Sequence, residues 1–198
     1  LDSKNCKNSF NIFKSENCKF VNDAETDLKD SMDASYAAEG ELIYNCCIAG
    51  AGSKMICNLF SAYGLDISYS ILVPQGNSHL FGCVGLRNKQ YCILNKQYSK
   101  EEYEALGPKI IEQMNDMPYT DKKGRVYKYG EFFPAELSPF CYNETIAQEY
   151  LPLTKEQAIE QGYSWKDPEP RNYQIDLTTD QLPDNIKDVS DDIVGKVI

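Results

Sequence analysis

Hydrophobic and polar positions in the first half of the chain recur at a fixed interval. Written every 23 residues, Leu42 falls over Leu65, Tyr44 over Ile67 over Gln90, Cys46 over Tyr69 over Cys92, and Ile48 over Ile71 over Leu94. A second set behaves alike, with Ala34 over Cys57 over Leu80 and Tyr36 over Leu59 over Gly82. Within each set the apolar positions stand two apart, the spacing of a strand with one buried face. Short strands repeated every roughly 20 to 30 residues are the signature of a coil stacked on itself. The pattern predicts a mainly β chain: a short parallel β-helix, or solenoid, of about 23 residues per rung.

A shorter echo runs through the N-terminus, where Ser3-Lys4-Asn5-Cys6 returns twelve residues later as Ser15-Glu16-Asn17-Cys18. Taken as half of 23, this spacing predicts two long sides per rung. Asn would sit at the corners, where it tolerates left-handed backbone and bonds its own main chain. Residues 22–41 carry the pattern weakly and predict a thin-sided rung with an exposed loop. Gly50-Ala51-Gly52-Ser53, Gly64 and Pro74-Gln75-Gly76-Asn77 are turn signals, and Pro74 belongs at a corner because it lacks a ladder donor.

The last rung, Val84 to Gln97, leaves a sheet edge to protect. Ser99-Lys100-Glu101-Glu102 fits a capping box, and Tyr103, Leu106, Ile110 and Met114 form an apolar stripe at helical spacing. Gly107-Pro108 predicts a kink or two short helices, laid across the final rung. Farther on, Phe132, Phe133, Pro134, Pro139, Phe140, Tyr142 and Tyr150 predict an aromatic segment packed on the solenoid. Short helices are expected over 143–149 and from Thr154 to Gly162. The division expected is residues 1–98 as the β-helix, 99–166 as a helical and aromatic cap, and 167–198 as an extended acidic arm or linker.

Charge narrows the partners. The net charge is −10 and lies mostly in the second half: 9 basic against 10 acidic residues up to position 98, then 11 against 20. Binding to nucleic acid or to an anionic membrane surface needs a basic footprint, so neither is expected. No run of about 18 apolar residues encodes a membrane-spanning helix, and no signal segment is visible. A start at Leu1 and an unpunctuated end at Ile198 predict a fragment of a longer protein.

Eight cysteines are many for 198 residues, and an even count admits disulfides in an oxidising compartment. Seven of them (Cys6, Cys18, Cys46, Cys47, Cys57, Cys83 and Cys92) fall in the repeat, where Cys serves as a small buried hydrophobe. Reduced, stacked thiols are expected; the localisation is not fixed by the sequence, and reduced thiols would favour the cytoplasm.

Candidate chemistry is sparse. Structural zinc needs four convergent ligands, usually two close pairs, and Cys46-Cys47 point to opposite faces of a strand while Cys83 and Cys92 stand apart. No metal or cofactor is expected. His79 is the only histidine, so it is the only usual base for a Cys or Ser nucleophile. A glycan-cleaving β-helix would gather carboxylates and a cation from neighbouring rungs. In the 23-residue register Asp66 stacks on Lys89, and Glu41 lies two rungs from Arg87. Asp66, Lys89 and His79 are therefore the catalytic candidates, with a lateral salt bridge as the plainer account of the first two. Asn143-Glu144-Thr145 matches a glycosylation acceptor, a triplet common by chance.

Two longer phrases, GCVGLRNKQYCILNKQYSKEEY (Gly82–Tyr103) and GEFFPAELSPFCYNET (Gly130–Thr145), resemble uncharacterised, cysteine-rich multidomain proteins of uncultured bacteria of the candidate phyla radiation. The resemblance spans roughly residues 1–195. It implies Asn-Cys-rich coils before this module and zinc-ribbon-like CxxC segments beside it; this chain has no CxxC pair, so those zinc sites are not carried over. Some members bear a class III CoA-transferase (CaiB/BaiF) label, and no stretch here supports it. The expectation is a structural or binding module for a protein or glycan partner. A glycan lyase or hydrolase is the first alternative and a zinc-associated scaffold the second.

Overall fold

In a computed structural model describing residues 2–24, 26–170 and 173–198, the repeat is built on three residues, not two. Asn5, Asn8 and Asn11 have φ of +54°, +48° and +54°, and left-handed residues continue at every third position, through Lys14, Asn17, Phe20 and Asp23. Each bends the chain, and the residue after it faces the axis, as in the buried Cys18, Val21 and Ala24. After a one-residue insertion the rhythm resumes at Leu28, Ser31, Ala34 and Ala37.

Parallel pairing fixes the turn length. Phe10 pairs with Asn22, Met32 with Tyr44, Ser53 with Leu65 and Gln90 with Ser78, all twelve apart. Lys19 pairs with Met32 and Leu65 with Ser78 at thirteen. A turn therefore has four corners and three residues per side, and about seven turns form the solenoid. The parallel β-solenoid expected from the repeat is the fold, but the 23-residue rung is corrected. The twelve-residue echo taken for half a rung is one whole turn, and 23 is one or two residues short of two turns. Cys46, Tyr69 and Cys92 accordingly occupy three different columns.

Four inner columns make the core. One runs Ser31, Ile43, Met55, Ile67, Leu80, Cys92, and the next Ala34, Cys46, Asn58, Ser70, Cys83. The third is mostly small (Ala24, Ala37, Ala49, Ser61, Val73) and the fourth carries Leu28, Gly40, Gly52, Gly64 and Asn77. Bulk in the first column fills the space the glycines leave. A Cβ on Gly52 would lie 2.1 Å from Met55 Cε, and one on Gly40 2.7 Å from Ile43 Cδ1. The described residues of 22–41 belong to turns of the coil, with the small Ala24, Ala34 and Ala37 filling inner columns where an exposed loop was expected. Pro74 follows the strand Ile71–Val73 in the second thirteen-residue turn.

The chain leaves the solenoid by closing its edge. Lys96–Gln97 turns back antiparallel on Gln90–Ile93, so the edge strand is covered by this hairpin and not by a helix. Helix α1 (Lys100–Asp116) starts at the expected capping box, with Ser99 and Glu102 each bonding the other's backbone N–H. It is continuous through Pro108, whose missing donor concerns only the Glu104 carbonyl on the exposed side. Tyr103, Leu106, Ile110 and Met114 pack on outward-facing Phe81, Ile93, Tyr69 and Tyr91. Helix α1 thus lies along an outer wall of the last turns instead of across the end of the coil.

The aromatic segment continues along that wall. Tyr69 meets Tyr129 and Phe133 at ring separations of 5.9 and 5.8 Å, accepts a hydrogen bond from Gly130 N at 2.7 Å and donates to Glu131 O at 3.1 Å. Phe140 and Tyr150, expected in the same packing, are exposed. A small unit follows: α2 (Ala147–Tyr150), then α3 (Lys155–Glu160), which starts at the Thr154 capping box and is followed by Gly162 with φ +88°. Residues 173–198 form short 3-10 turns and are largely exposed.

Candidate functional site

The predicted catalytic residues separate. Asp66 and His79 share a corner column one turn apart, and Asp66 Oδ2 lies 2.8 Å from His79 Nδ1. The imidazole stacks on Tyr91 at 4.8 Å and meets the edge of Tyr103 at 6.0 Å. Lys89 is elsewhere: its backbone N donates to Asn77 Oδ1, one corner before the His79 column, and its side chain is exposed. The stacking of Asp66 on Lys89 came from the 23-residue register and fails with it. Glu41 and Arg87 also sit on different walls, three residues of path apart. No Cys or Ser donates to His79 among the hydrogen bonds of the described residues. The pair is a lateral ladder contact, seated under Tyr103.

The thiols are spread along the coil. All eight cysteines are free. Burial pushes the Cys46 thiol up to about 12 and those of Cys18 and Cys57 up to about 11, so they are protonated and poorly nucleophilic. Among the described residues no group of three or more His, Cys, Asp or Glu side chains converges as metal ligands. Asn143 is engaged locally, its amide donating to Lys166 O at 2.8 Å and accepting from Lys166 N at 3.0 Å.

Among the concave surfaces of the described residues, two on the coil follow from columns that a 23-residue register does not show. Glycines at Gly40, Gly52 and Gly64 draw one corner inward, leaving an open trough of about 870 Å³ along the coil. Asp27, Glu39 and Glu41 supply its carboxylates and Lys29 its one cation. The adjacent wall, opposite the one that α1 covers, carries a smaller, more enclosed groove of about 320 Å³. Its floor is Ala38, Gly50 and Ala62, stacked by pairing of Ala38 with Gly50 and Gly50 with Ala62. One bank is Tyr36, Ile48 and Phe60, continued by Leu72, and the other is Glu39, Ala51 and Tyr63. Small residues twelve apart in the sequence were the available signal for both, Gly40, Gly52 and Gly64 for the trough and Ala38, Gly50 and Ala62 for the groove.

Among the described residues no helix is long and apolar enough to cross a membrane. No family model, no curated protein and no solved structure matches the chain.

Proposed function

We propose that this chain is a non-enzymatic binding module that presents the bare walls of its solenoid to an elongated partner. The carrying observation is the grooved wall opposite α1, where small residues form a floor between banks of exposed large side chains over several turns. Concave surfaces with an apolar lining and a few polar groups are the usual form of recognition sites. Hydrolysis of a glycan would need two carboxylates facing each other across the bond, about 5 to 10 Å apart. Asp66 instead faces a histidine that is stacked on Tyr91.

The test is to screen purified protein against polysaccharide substrates and against glycan and peptide arrays. Saturable binding without turnover, lost when the grooved wall is substituted, is expected. Turnover of any polysaccharide that disappears in Asp66→Asn overturns the proposal in favour of the enzyme.

A further inference from the structure

The bank of the groove stands where its residues are least comfortable. Tyr36, Ile48, Phe60 and Leu72 have φ of +52°, +56°, +59° and +55°. Left-handed backbone is strained for any residue with a Cβ, most of all a β-branched one, and Asn relieves the strain best after Gly. The same column begins with Asn11 and Asp23, which suit it. In the middle turns the chain therefore holds large apolar side chains, two of them over half exposed, at strained positions where Asn would be more stable. Left-handed corners recur throughout the coil, so what marks this wall is the unbroken row of four large apolar side chains in one column, and such a row points to binding.

The opposite wall shows what such a surface accepts. It has the same three-residue width, and its outward Phe81 and Ile93 are covered by the apolar stripe of α1, a 17-residue helix. Charge then selects among partners. Glu39 on the far bank, and Asp27 and Glu41 beside it, form no ion pair among the described residues. Two copies of this chain meeting on that wall would bring these carboxylates together, so self-association is disfavoured. A helix with basic flanks would pair with them.

We infer that the Tyr36-Ile48-Phe60-Leu72 wall docks an amphipathic α-helix whose apolar stripe lies on the Ala38-Gly50-Ala62 floor and whose Lys or Arg flank faces Glu39. This deepens the binding-module reading and rests on it.

Three synthetic 17-residue helical peptides test it by fluorescence anisotropy: an apolar stripe with Lys flanks, the same stripe with Glu flanks, and the Lys content without a stripe. The first is expected to bind saturably, the second at least tenfold more weakly, and the third not to saturate. Phe60→Asn and Ile48→Asn should each weaken the first peptide at least tenfold while leaving the melting temperature unchanged or higher, which separates docking from folding. Glu39→Lys should shift preference toward the Glu-flanked peptide. Equal binding of the first two peptides, or unchanged affinity in Phe60→Asn, overturns the inference. So does a dimer in sedimentation that Phe60→Asn dissolves, which assigns the wall to a second copy. Saturable glycan binding lost in the same variants overturns the helix and leaves the binding module standing. If no ligand of either class binds, both fall.

Discussion

Ile67 Cδ1 lies 2.3 Å from the point a Cβ on Gly64 would occupy, so this glycine and this isoleucine share one packing space across a corner. Gly64 is not in left-handed backbone, so its requirement is for volume alone. Gly64→Ala should destabilise by about 1–3 kcal/mol through overpacking. Ile67→Val removes the clashing methyl, so the double variant should recover part of that loss. A thermal-denaturation cycle over the four proteins measures it, and strict additivity would refute shared space.

Asn58 is fully buried and joins adjacent turns, its amide donating to Ile67 O at 2.7 Å and accepting from Ser70 N at 2.8 Å. Asn58→Ala orphans both backbone groups and should cost about 2–4 kcal/mol in urea unfolding, since each buried unpaired group costs about 1–3 kcal/mol. Asn17→Gly, which removes the exposed amide linking Asn5 and Asp30 while still accepting the φ of +54° at that corner, should cost well under half as much.

Tyr69 fastens the C-terminal segment to the coil through Gly130 and Glu131. Tyr69→Phe keeps the ring packing and removes both hydrogen bonds. Amide exchange at Gly130 should accelerate about tenfold or more, matching roughly 1–2 kcal/mol, while exchange at Met55 and Ile67 inside the coil stays slow.

Buried thiols set an alkaline limit. The Cys46 thiol is held at about 12 in the fold against 9.0 when exposed, so the folded state keeps its proton after the unfolded state has lost it. Stability from this group is complete below pH 9 and falls as pH rises toward 12, by about 1 kcal/mol per pH unit. The urea midpoint should drop between pH 8.5 and pH 10.5, and Cys46→Ala should flatten that slope. An unchanged slope in the variant would exclude Cys46 as the cause.

Much of this architecture is legible in the residues. Recurrence of Ser-x-Asn-Cys and of small and apolar positions announces a chain coiled on itself, and Ser99 with Glu102 announces the start of α1. The register is masked in the sequence for a definite reason. Alternation of apolar residues implies two-residue periodicity only if every residue is extended, and here Tyr36, Ile48, Tyr69 and their like sit in left-handed backbone. Asn5, Asn8 and Asn11, together with Asp27, Asp30 and Asp33, mark the three-residue step in the sequence. Bulky residues at the same corners hide it farther along.

By itself the sequence determined that successive turns stack, because only a repeat can place like beside like. Tertiary structure decided which residues meet: Asp66 would face Lys89 across a 23-residue rung, but the actual turn here is 13 residues and brings it to His79. It also decided which wall is covered, since that follows from where α1 and Tyr129–Phe133 land after the coil has closed. Local patterning encodes the direction of each side chain; the packing of distant segments alone settles which surfaces are left for a partner.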